Sequence, residues 1–342
     1  MAISELEATA RELIAPGRGI LAADESHPTI EKRFTSIGLE STEEHRRAYR
    51  DMLFTTPGLG DHISGVILFD ETIRQGTAEG TPFTEVLEKQ GIIPGIKVDA
   101  GAKDLALFPG EKVTEGLDGL RKRLAEYREL GARFAKWRAV IGIDEANGLP
   151  TDGCIRANAH AMARYAALCQ EAGIVPIVEP ETLMDGGHAI EAHYQATHRT
   201  LQATFEELFD ARVRLEGALL KTNMVLSGKE AAQQADHDTV AETTLRCLRA
   251  TVPPAVPGIV FLSGGQGDVE ATERLDVMNK RGPHPWALSF SYGRALQAAA
   301  LKSWGGQEEN VEAAQRALAV RARNNGAARD GRYSREMESD AA

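Results

Sequence analysis

The chain has 342 residues, of which 42% are hydrophobic, so it is long enough for one large α/β domain with a sizeable core. Its net charge of −11 argues against nucleic acid as a main partner, because a protein needs a basic face to bind a phosphate backbone. The three cysteines lack CxxC spacing, which predicts reduced thiols in a cytoplasmic protein and argues against a disulfide framework or a zinc knuckle.

The start of the chain carries no sign of a targeting signal. Residues 1–7 are acidic and amphipathic, whereas a signal peptide begins with basic and then strongly apolar residues. Further along, no apolar run approaches the roughly 18 residues that are needed to span a bilayer. We therefore expect a cytoplasmic protein without a membrane partner.

Eight short apolar runs then recur in chain order, with helix-like segments between them. The runs lie at 19–23, 65–69, 92–98, 133–140, 174–178, 218–225, 258–262 and 286–290. The segments between them repeat apolar residues with a helical period, as in 117–127 and 162–169. This alternation predicts a parallel sheet with both faces covered, and eight repeats predict a closed (β/α)8 TIM barrel. We assign residues 1–322 to this single barrel domain and residues 323–342 to a polar, loosely ordered C-terminal tail.

Three of the apolar runs lead into a lysine, namely Lys97, Lys136 and Lys221. An unpaired ammonium group is costly to bury, so such a lysine is either paired or chemically employed. Together the three predict a cationic pocket for an anionic small molecule, in which one of the amines is a candidate nucleophile.

Further polar residues stand where the strands are expected to end, which is where (β/α)8 enzymes carry their chemistry. Residues two apart on a strand point to the same side, so the members of each such pair should face the barrel mouth together. The pairs are Lys97/Asp99, Lys136/Arg138, Glu179/Glu181 and Lys221/Asn223, and Asp24, Glu25 and Ser26 follow the first run. Any one of these charges could equally be a solvated loop residue or part of a structural ion pair. The presence of the whole set on one face favours a binding site.

Glycine-rich turns follow the seventh and eighth runs. They contain Ser263-Gly264-Gly265-Gln266-Gly267 and Ser291-Tyr292-Gly293-Arg294. Glycine lets the backbone approach an anion closely, while serine hydroxyls and arginine complete the contacts. Either turn alone indicates only a tight turn, but the loops after strands seven and eight are where (β/α)8 enzymes commonly bind phosphate. The sequence therefore predicts a phosphate site there.

The histidines do not predict a metal site. His188, His193 and His198 are five residues apart, which is wrong for one face of a helix, and the remaining histidines are scattered. We expect no metal.

Several long motifs resemble the class I fructose-1,6-bisphosphate aldolase family. They are Gly19–Ser26, Gly65–Phe69, Phe134–Arg138, Ile174–Glu181, Leu219–Lys221, Thr251–Gly258, Phe261–Gln266 and Ser289–Arg294, and the similarity runs from about Ile14 to Tyr333. The resemblance implies a TIM-barrel lyase of glycolysis and gluconeogenesis, usually a homotetramer, that needs no metal or other cofactor. Its phosphosugar substrate would be fructose 1,6-bisphosphate, cleaved to dihydroxyacetone phosphate and glyceraldehyde 3-phosphate through a Schiff base.

The resemblance also implies roles for individual residues. Lys221 would form the Schiff base, Glu179 would act as acid and base on the carbinolamine, and Asp24 would take the C4 hydroxyl proton. Lys136 would assist the base chemistry beside Lys221. One phosphate would be held by Ser263, Gly264, Gly265, Ser291, Gly293 and Arg294. The other phosphate and the sugar hydroxyls would be served by Ser26, Arg33, Lys97 and Arg138.

The chain departs from the family's pattern at three places. His27-Pro28-Thr29 stands where the family has Thr-Gly-Ser, and Thr222 stands where proline usually follows the Schiff-base lysine. The sequence ends at Ala342, without the terminal tyrosine that protonates the enamine in many family members, and its last tyrosine is Tyr333. We expect a barrel residue or water to protonate the enamine instead.

Three alternatives stay open on the residues. A transaldolase-like enzyme or a seven-carbon bisphosphate aldolase would use the same Schiff-base chemistry. A sugar-phosphate sensor without catalysis would be expected to lack Lys221, Glu179 or Asp24, and all three are present. A metal-dependent aldolase is disfavoured by the scattered histidines.

Overall fold

The structure of the protein is a computed structural model that describes residues 3–341. Met1 and Ala2 of the N-terminal segment and Ala342 of the predicted tail lie outside the described residues. The strands are β1 (Gly19–Ala23), β2 (Ile63–Leu68), β3 (Ile93–Lys97), β4 (Ala102–Asp104), β5 (Lys112–Thr114), β6 (Phe134–Ile141), β7 (Val175–Thr182), β8 (Leu219–Thr222), β9 (Gly258–Phe261) and β10 (Ala287–Tyr292). The helices are α1 (Ile3–Leu13), α2 (His27–Thr35), α3 (Glu43–Phe54), α4 (Asp70–Ile73), α5 (Phe83–Lys89), α6 (Leu120–Glu129), α7 (Asp152–Glu171), α8 (Ile190–Asp210), α9 (His237–Thr251), α10 (Asp268–Lys280), α11 (Arg294–Trp304) and α12 (Val311–Arg329).

Eight parallel strands close into a barrel, which confirms the predicted fold. Their order around the barrel is β1-β10-β9-β8-β7-β6-β3-β2, and β10 pairs with β1 to complete the ring. The remaining two strands, β4 and β5, form an antiparallel hairpin between β3 and β6. The sequence pattern does not indicate this hairpin, because its strands are three residues long and β4 is fully exposed, so no apolar run marks it.

Alternate residues of the barrel strands pack into two separate layers. Along β1, Ile20 and Ala22 belong to the inner layer, whereas Leu21 and Ala23 pack outward with the layer under the helices. The inner layer includes α1, and Ile14, just after this helix, lies against Gly258 at the amino end of β9. Apolar side chains therefore fill the barrel at the amino ends of its strands, which leaves the carboxyl ends as the place for a site.

The C-terminal segment is packed rather than loose over most of its length. Helix α12 continues across the boundary between residues 322 and 323, where we placed the start of the tail, and Asn324 and Asn325 are fully buried within it. Beyond the helix, Tyr333 is buried and its hydroxyl donates to Glu338, which also binds Arg321. The expectation of loose order is therefore wrong for residues 323–333, because hydrogen bonds satisfy the polar groups that suggested exposure. The division at residue 322 itself stays a prediction.

Within residues 3–341, the structure contains no helix that is both long and apolar enough to cross a membrane.

Candidate active site

A cavity of about 1170 Å³ opens at the carboxyl ends of the barrel strands. It is lined by every residue to which the family resemblance assigns a role, namely Asp24, Ser26, Arg33, Lys97, Lys136, Arg138, Glu179, Lys221, Ser263, Gly264, Gly265, Ser291, Gly293 and Arg294. These residues come from seven different strands and the segments that follow them, so closure of the barrel is what brings them together.

The carboxylate of Glu179 lies between two buried lysines at the floor of the cavity. Glu179 Oε1 is 3.3 Å from Lys221 Nζ, and Glu179 Oε2 is 3.2 Å from Lys136 Nζ. The second contact is close enough for an ion pair but is not aligned as a hydrogen bond, so the buried Oε2 atom keeps its capacity to accept a proton. One carboxylate can therefore exchange protons with groups bound at Lys221 while staying paired.

Lys136 also binds a second carboxylate, that of Asp24. Lys136 Nζ is 2.7 Å from Asp24 Oδ2. Burial opposes ionisation of Asp24, but the positive charges of Lys136 and Lys221 outweigh it and hold the pKa of Asp24 far below its usual value. Burial would likewise favour a neutral Lys136, yet Asp24 and Glu179 raise the pKa of Lys136 well above its usual value. Asp24 is therefore an ionised carboxylate and Lys136 an ammonium ion at neutral pH.

The expected pairing of residues two apart holds at three strand ends and fails at the fourth. Both members of Lys97/Asp99, Lys136/Arg138 and Glu179/Glu181 line the cavity. Lys221 does so too, but Asn223 is buried in the wall, where its Oδ1 accepts from Thr182 N at 2.9 Å and its Nδ2 donates to Thr197. The prediction for Asn223 is wrong because these hydrogen bonds to neighbouring segments hold its side chain in the wall.

Two further cations at the rim are paired with acids from the same or a neighbouring strand end. Lys97 Nζ lies 2.5 Å from Asp99 Oδ1, and Arg138 donates to Glu181 from its Nε atom. These pairs hold the cationic groups on the side of the mouth formed by β3 and β6.

Glu25 holds Arg33 in place beside the first strand. Glu25 is buried, and it binds Arg33 at 2.5 Å and the equally buried Arg50 at 2.6 Å, while Gln297 donates to it at 3.0 Å. Burial works against the charge, but the two arginines lower the pKa of Glu25, so it stays ionised. Sequence reasoning did not identify Arg50. A charged residue between the buried Tyr49 and Met52 of α3 is the signal that points to it.

The loops after β9 and β10 present unpaired donors to the cavity. Ser291 is buried and its Oγ atom makes no hydrogen bond, and within residues 5–339 the Arg294 guanidinium has no hydrogen-bond or ion-pair partner. Gly264 and Gly265 have φ of +56° and +96°, a left-handed conformation that favours glycine. The Ser291 hydroxyl and the Arg294 guanidinium are therefore donors without acceptors, and they lie near glycine residues whose backbone has no side chain to shield it. Such an arrangement is suited to bind an anion such as phosphate.

The segment His27-Pro28-Thr29, which stands where the family has Thr-Gly-Ser, begins helix α2 at the rim of the cavity. The His27 side chain is mostly exposed, lies 3.3 Å from Glu71 and does not line the cavity. Thr29 does line it, and its hydroxyl is 3.2 Å from that of Ser26, which makes no capping hydrogen bond to the helix. The hydroxyl groups of Ser26 and Thr29 are therefore available to a ligand.

In the part of the chain that the structure describes, no three or more His, Cys, Asp or Glu side chains are grouped so as to hold a metal ion.

Comparison with known proteins relates this site to one family. Residues 5–342 match the family model described as glycolytic, fructose-bisphosphate aldolase class-I. The chain belongs to this family. A probable class 1 fructose-bisphosphate aldolase from Xanthomonas axonopodis pv. citri (strain 306) is 58% identical over 97% of this chain and 99% of its own length. Fructose-bisphosphate aldolase 1 from Toxoplasma gondii is 56% identical over 96% of this chain and 91% of its own length.

A solved aldolase structure is similar to this chain in both fold and sequence. It is fructose-bisphosphate aldolase from Plasmodium falciparum in complex with TRAP and a small-molecule inhibitor, and it matches with a TM-score of 0.96 at 52% identity. The match covers 97% of this chain and 95% of the other. The resemblance of the motifs is thus confirmed. Class I aldolases work through a Schiff base and without metal.

Proposed function

We propose that the chain catalyses the reversible cleavage of fructose 1,6-bisphosphate through a Schiff base on Lys221. The observation that carries this proposal is the cluster of groups at the cavity floor, in which Glu179 contacts both Lys221 and Lys136, and Lys136 also contacts Asp24. A nucleophilic amine, an adjacent acid–base group and a second ionised carboxylate are what a retro-aldol reaction requires.

The first half of the reaction joins the substrate to the enzyme. The Lys221 amine attacks the C2 carbonyl, and Glu179, 3.3 Å away, receives the proton that the amine must lose. Glu179 then returns a proton to the C2 hydroxyl, which leaves as water and yields the iminium ion. Lys136, whose pKa is raised well above its usual value, is an ammonium ion that contacts the same Glu179 carboxylate.

The second half breaks the carbon–carbon bond. Asp24 takes the proton of the C4 hydroxyl, the C3–C4 bond breaks, and its electron pair moves into the iminium to form an enamine. Glyceraldehyde 3-phosphate leaves as the aldehyde. Protonation of the enamine at C3 and hydrolysis of the Schiff base then release dihydroxyacetone phosphate. The low pKa of Asp24 keeps it ionised and ready to accept the proton.

The two phosphates would occupy opposite sides of the mouth. The loops after β9 and β10, with Ser263, Ser291 and Arg294, would hold one of them, supported by the unpaired donors there. Ser26, Arg33, Lys97 and Arg138 would serve the other phosphate and the hydroxyls. Gly264, Gly265 and Gly293 would let the backbone come close to the first phosphate.

The setting of the enzyme is part of the same proposal and rests on the family. The enzyme would need no metal or other cofactor, act in the cytoplasm and assemble as a homotetramer, with the phosphosugar as its partner. The mass of the assembly in solution tests the tetramer.

Borohydride trapping tests the central proposal. The protein is incubated with fructose 1,6-bisphosphate, reduced with borohydride and mapped by peptide mass, and the label is expected on Lys221 alone. Lys221→Met serves as the control and should not be labelled or cleave substrate. A label on Lys97 or Lys136 in the parent protein would assign the nucleophile elsewhere. Parallel assays with fructose 1-phosphate and sedoheptulose 1,7-bisphosphate establish which sugar is preferred.

A further inference from the structure

The loop after β8 is fastened to the loop after β7 by backbone hydrogen bonds. The N–H groups of residues 228, 229 and 230 donate to the carbonyl oxygens of residues 188, 184 and 186, at 2.8 to 3.0 Å. Gly228 permits this contact, because a Cβ atom there would lie 2.2 Å from Gly186 O. The backbone of Lys229 is thus held at a defined place above the cavity, which its side chain lines.

The Lys229 ammonium group reaches the phosphate-binding turn from this position. A Cβ atom built on Gly265 would be 3.0 Å from Lys229 Nζ and 3.3 Å from Arg294 Nη2. The side chains of Lys229 and Arg294, two cations from different segments, therefore both lie next to Gly265. Their mutual repulsion is relieved when an anion lies between them, and the unpaired Ser291 hydroxyl borders the same cavity.

In the free protein, Lys229 forms an ion pair with Asp185. Its Nζ atom lies 2.8 Å from Asp185 Oδ1, and both side chains are substantially exposed. Such an exposed ion pair is weak, so a phosphate dianion can compete for the lysine. Asp185 also lines the cavity and comes from the loop after β7.

We propose that Lys229 is an additional ligand of the substrate phosphate that binds between the loops after β9 and β10. Asp185 pairs with the ammonium group in the free protein, and an arriving phosphate replaces it as the partner of that group. This inference rests on the proposed function. A strand-end pattern does not reveal Lys229, because it lies in a loop several residues beyond the end of β8.

Inorganic phosphate and fructose 1,6-bisphosphate are the probes. Lys229→Met should raise the inhibition constant of phosphate and the KM for the sugar by roughly tenfold, the value of one charge-assisted hydrogen bond, with kcat retained. Lys229→Arg should restore most of the binding. Asp185→Asn should move both constants in the opposite direction, by up to about fivefold, since the competing ion pair is weak.

The directions in which the two substitutions change the binding constants distinguish two roles for Lys229, a phosphate ligand and a structural ion pair with Asp185. A bridge that merely joins two loops predicts weaker binding in both Lys229→Met and Asp185→Asn, and that result would overturn the proposal. Unchanged constants in Lys229→Met would also overturn it. Lys122→Met is the matched control, because Lys122 is exposed on α6 and does not line the cavity. It should change phosphate inhibition by less than about twofold, since salt screens such distant charges.

The two proposals can fail separately. If the parent protein is labelled at Lys221 and cleaves substrate while Lys229→Met binds phosphate normally, only the assignment of Lys229 fails. If calorimetry shows that phosphate binding weakens in Lys229→Met while the parent forms no Schiff base, the assignment stands and the proposed function fails.

Discussion

Replacement of Glu179 by glutamine should separate Schiff-base formation from substrate binding. The amide keeps the shape of the side chain but loses its charge and its ability to take a proton. Within residues 5–339, Glu179 is the one carboxylate in ion-pair contact with Lys221, at 3.3 Å, so no neighbouring acid replaces it directly. Loss of a general acid–base group costs about 10²–10⁴-fold, and we expect about 10³-fold slower Schiff-base formation.

The same substitution should lower stability moderately. Removing one partner of a buried ion pair typically costs about 3–5 kcal/mol. Lys136 keeps Asp24 at 2.7 Å, and the glutamine oxygen can still accept one hydrogen bond, so we expect a loss of about 2 kcal/mol in the free energy of unfolding. The variant should therefore remain folded at room temperature.

The assay is a single-turnover experiment that measures the rate at which borohydride traps fructose 1,6-bisphosphate on the protein. Glu181→Gln is the matched control, because Glu181 is buried two residues along the same strand but pairs with Arg138. It should change KM more than the trapping rate. A trapping rate in Glu179→Gln equal to that of the parent, or an equal slowing in Glu181→Gln, would refute the role of Glu179.

Four other outcomes are expected. The ionised Asp24 stabilises the fold above its ordinary pKa of 3.8, and this stability is lost as the pH falls through its lowered pKa, because Lys136 and Lys221 outweigh burial. Urea unfolding should thus show Asp24→Asn as less stable than the parent at pH 7, with the gap closing below about pH 4. Cleavage should survive excess chelator, and a loss that zinc restores would indicate a metal-dependent enzyme. Tyr333→Phe should change proton exchange at C3 of dihydroxyacetone phosphate by less than about tenfold, against the 10²–10⁴-fold of a lost acid, because the tyrosine hydroxyl is bonded to Glu338. A collapse of exchange would show that the tail supplies the proton. Thr222→Val should raise the free energy of unfolding by about 1 kcal/mol, since the buried Thr222 hydroxyl has no partner, and a lower thermal midpoint would count against that.

Local patterns in the sequence were enough to predict the barrel and the face that carries its site. Apolar runs, strand periods of two and helical periods are all visible within about ten residues, so they do not depend on the rest of the fold. The polar residues that end the strands and the glycines after β9 and β10 were recognisable for the same reason. Lys221, Glu179 and Asp24 could therefore be assigned to one face before their distances were known.

The tertiary structure alone decided which of these groups touch. Closure of the ring sets Glu179 between Lys136 and Lys221, because β6, β7 and β8 are neighbours in it. Contacts between loops bring Lys229 to Gly265, and no local period encodes them. Polar groups of the C-terminal segment suggested exposure, yet partners distant in the chain satisfy them, as Thr272 does for Asn325. Short-range periodicity determines which face of an element a side chain occupies. The residue that it contacts lies on a distant segment, so the contact forms only when the chain folds.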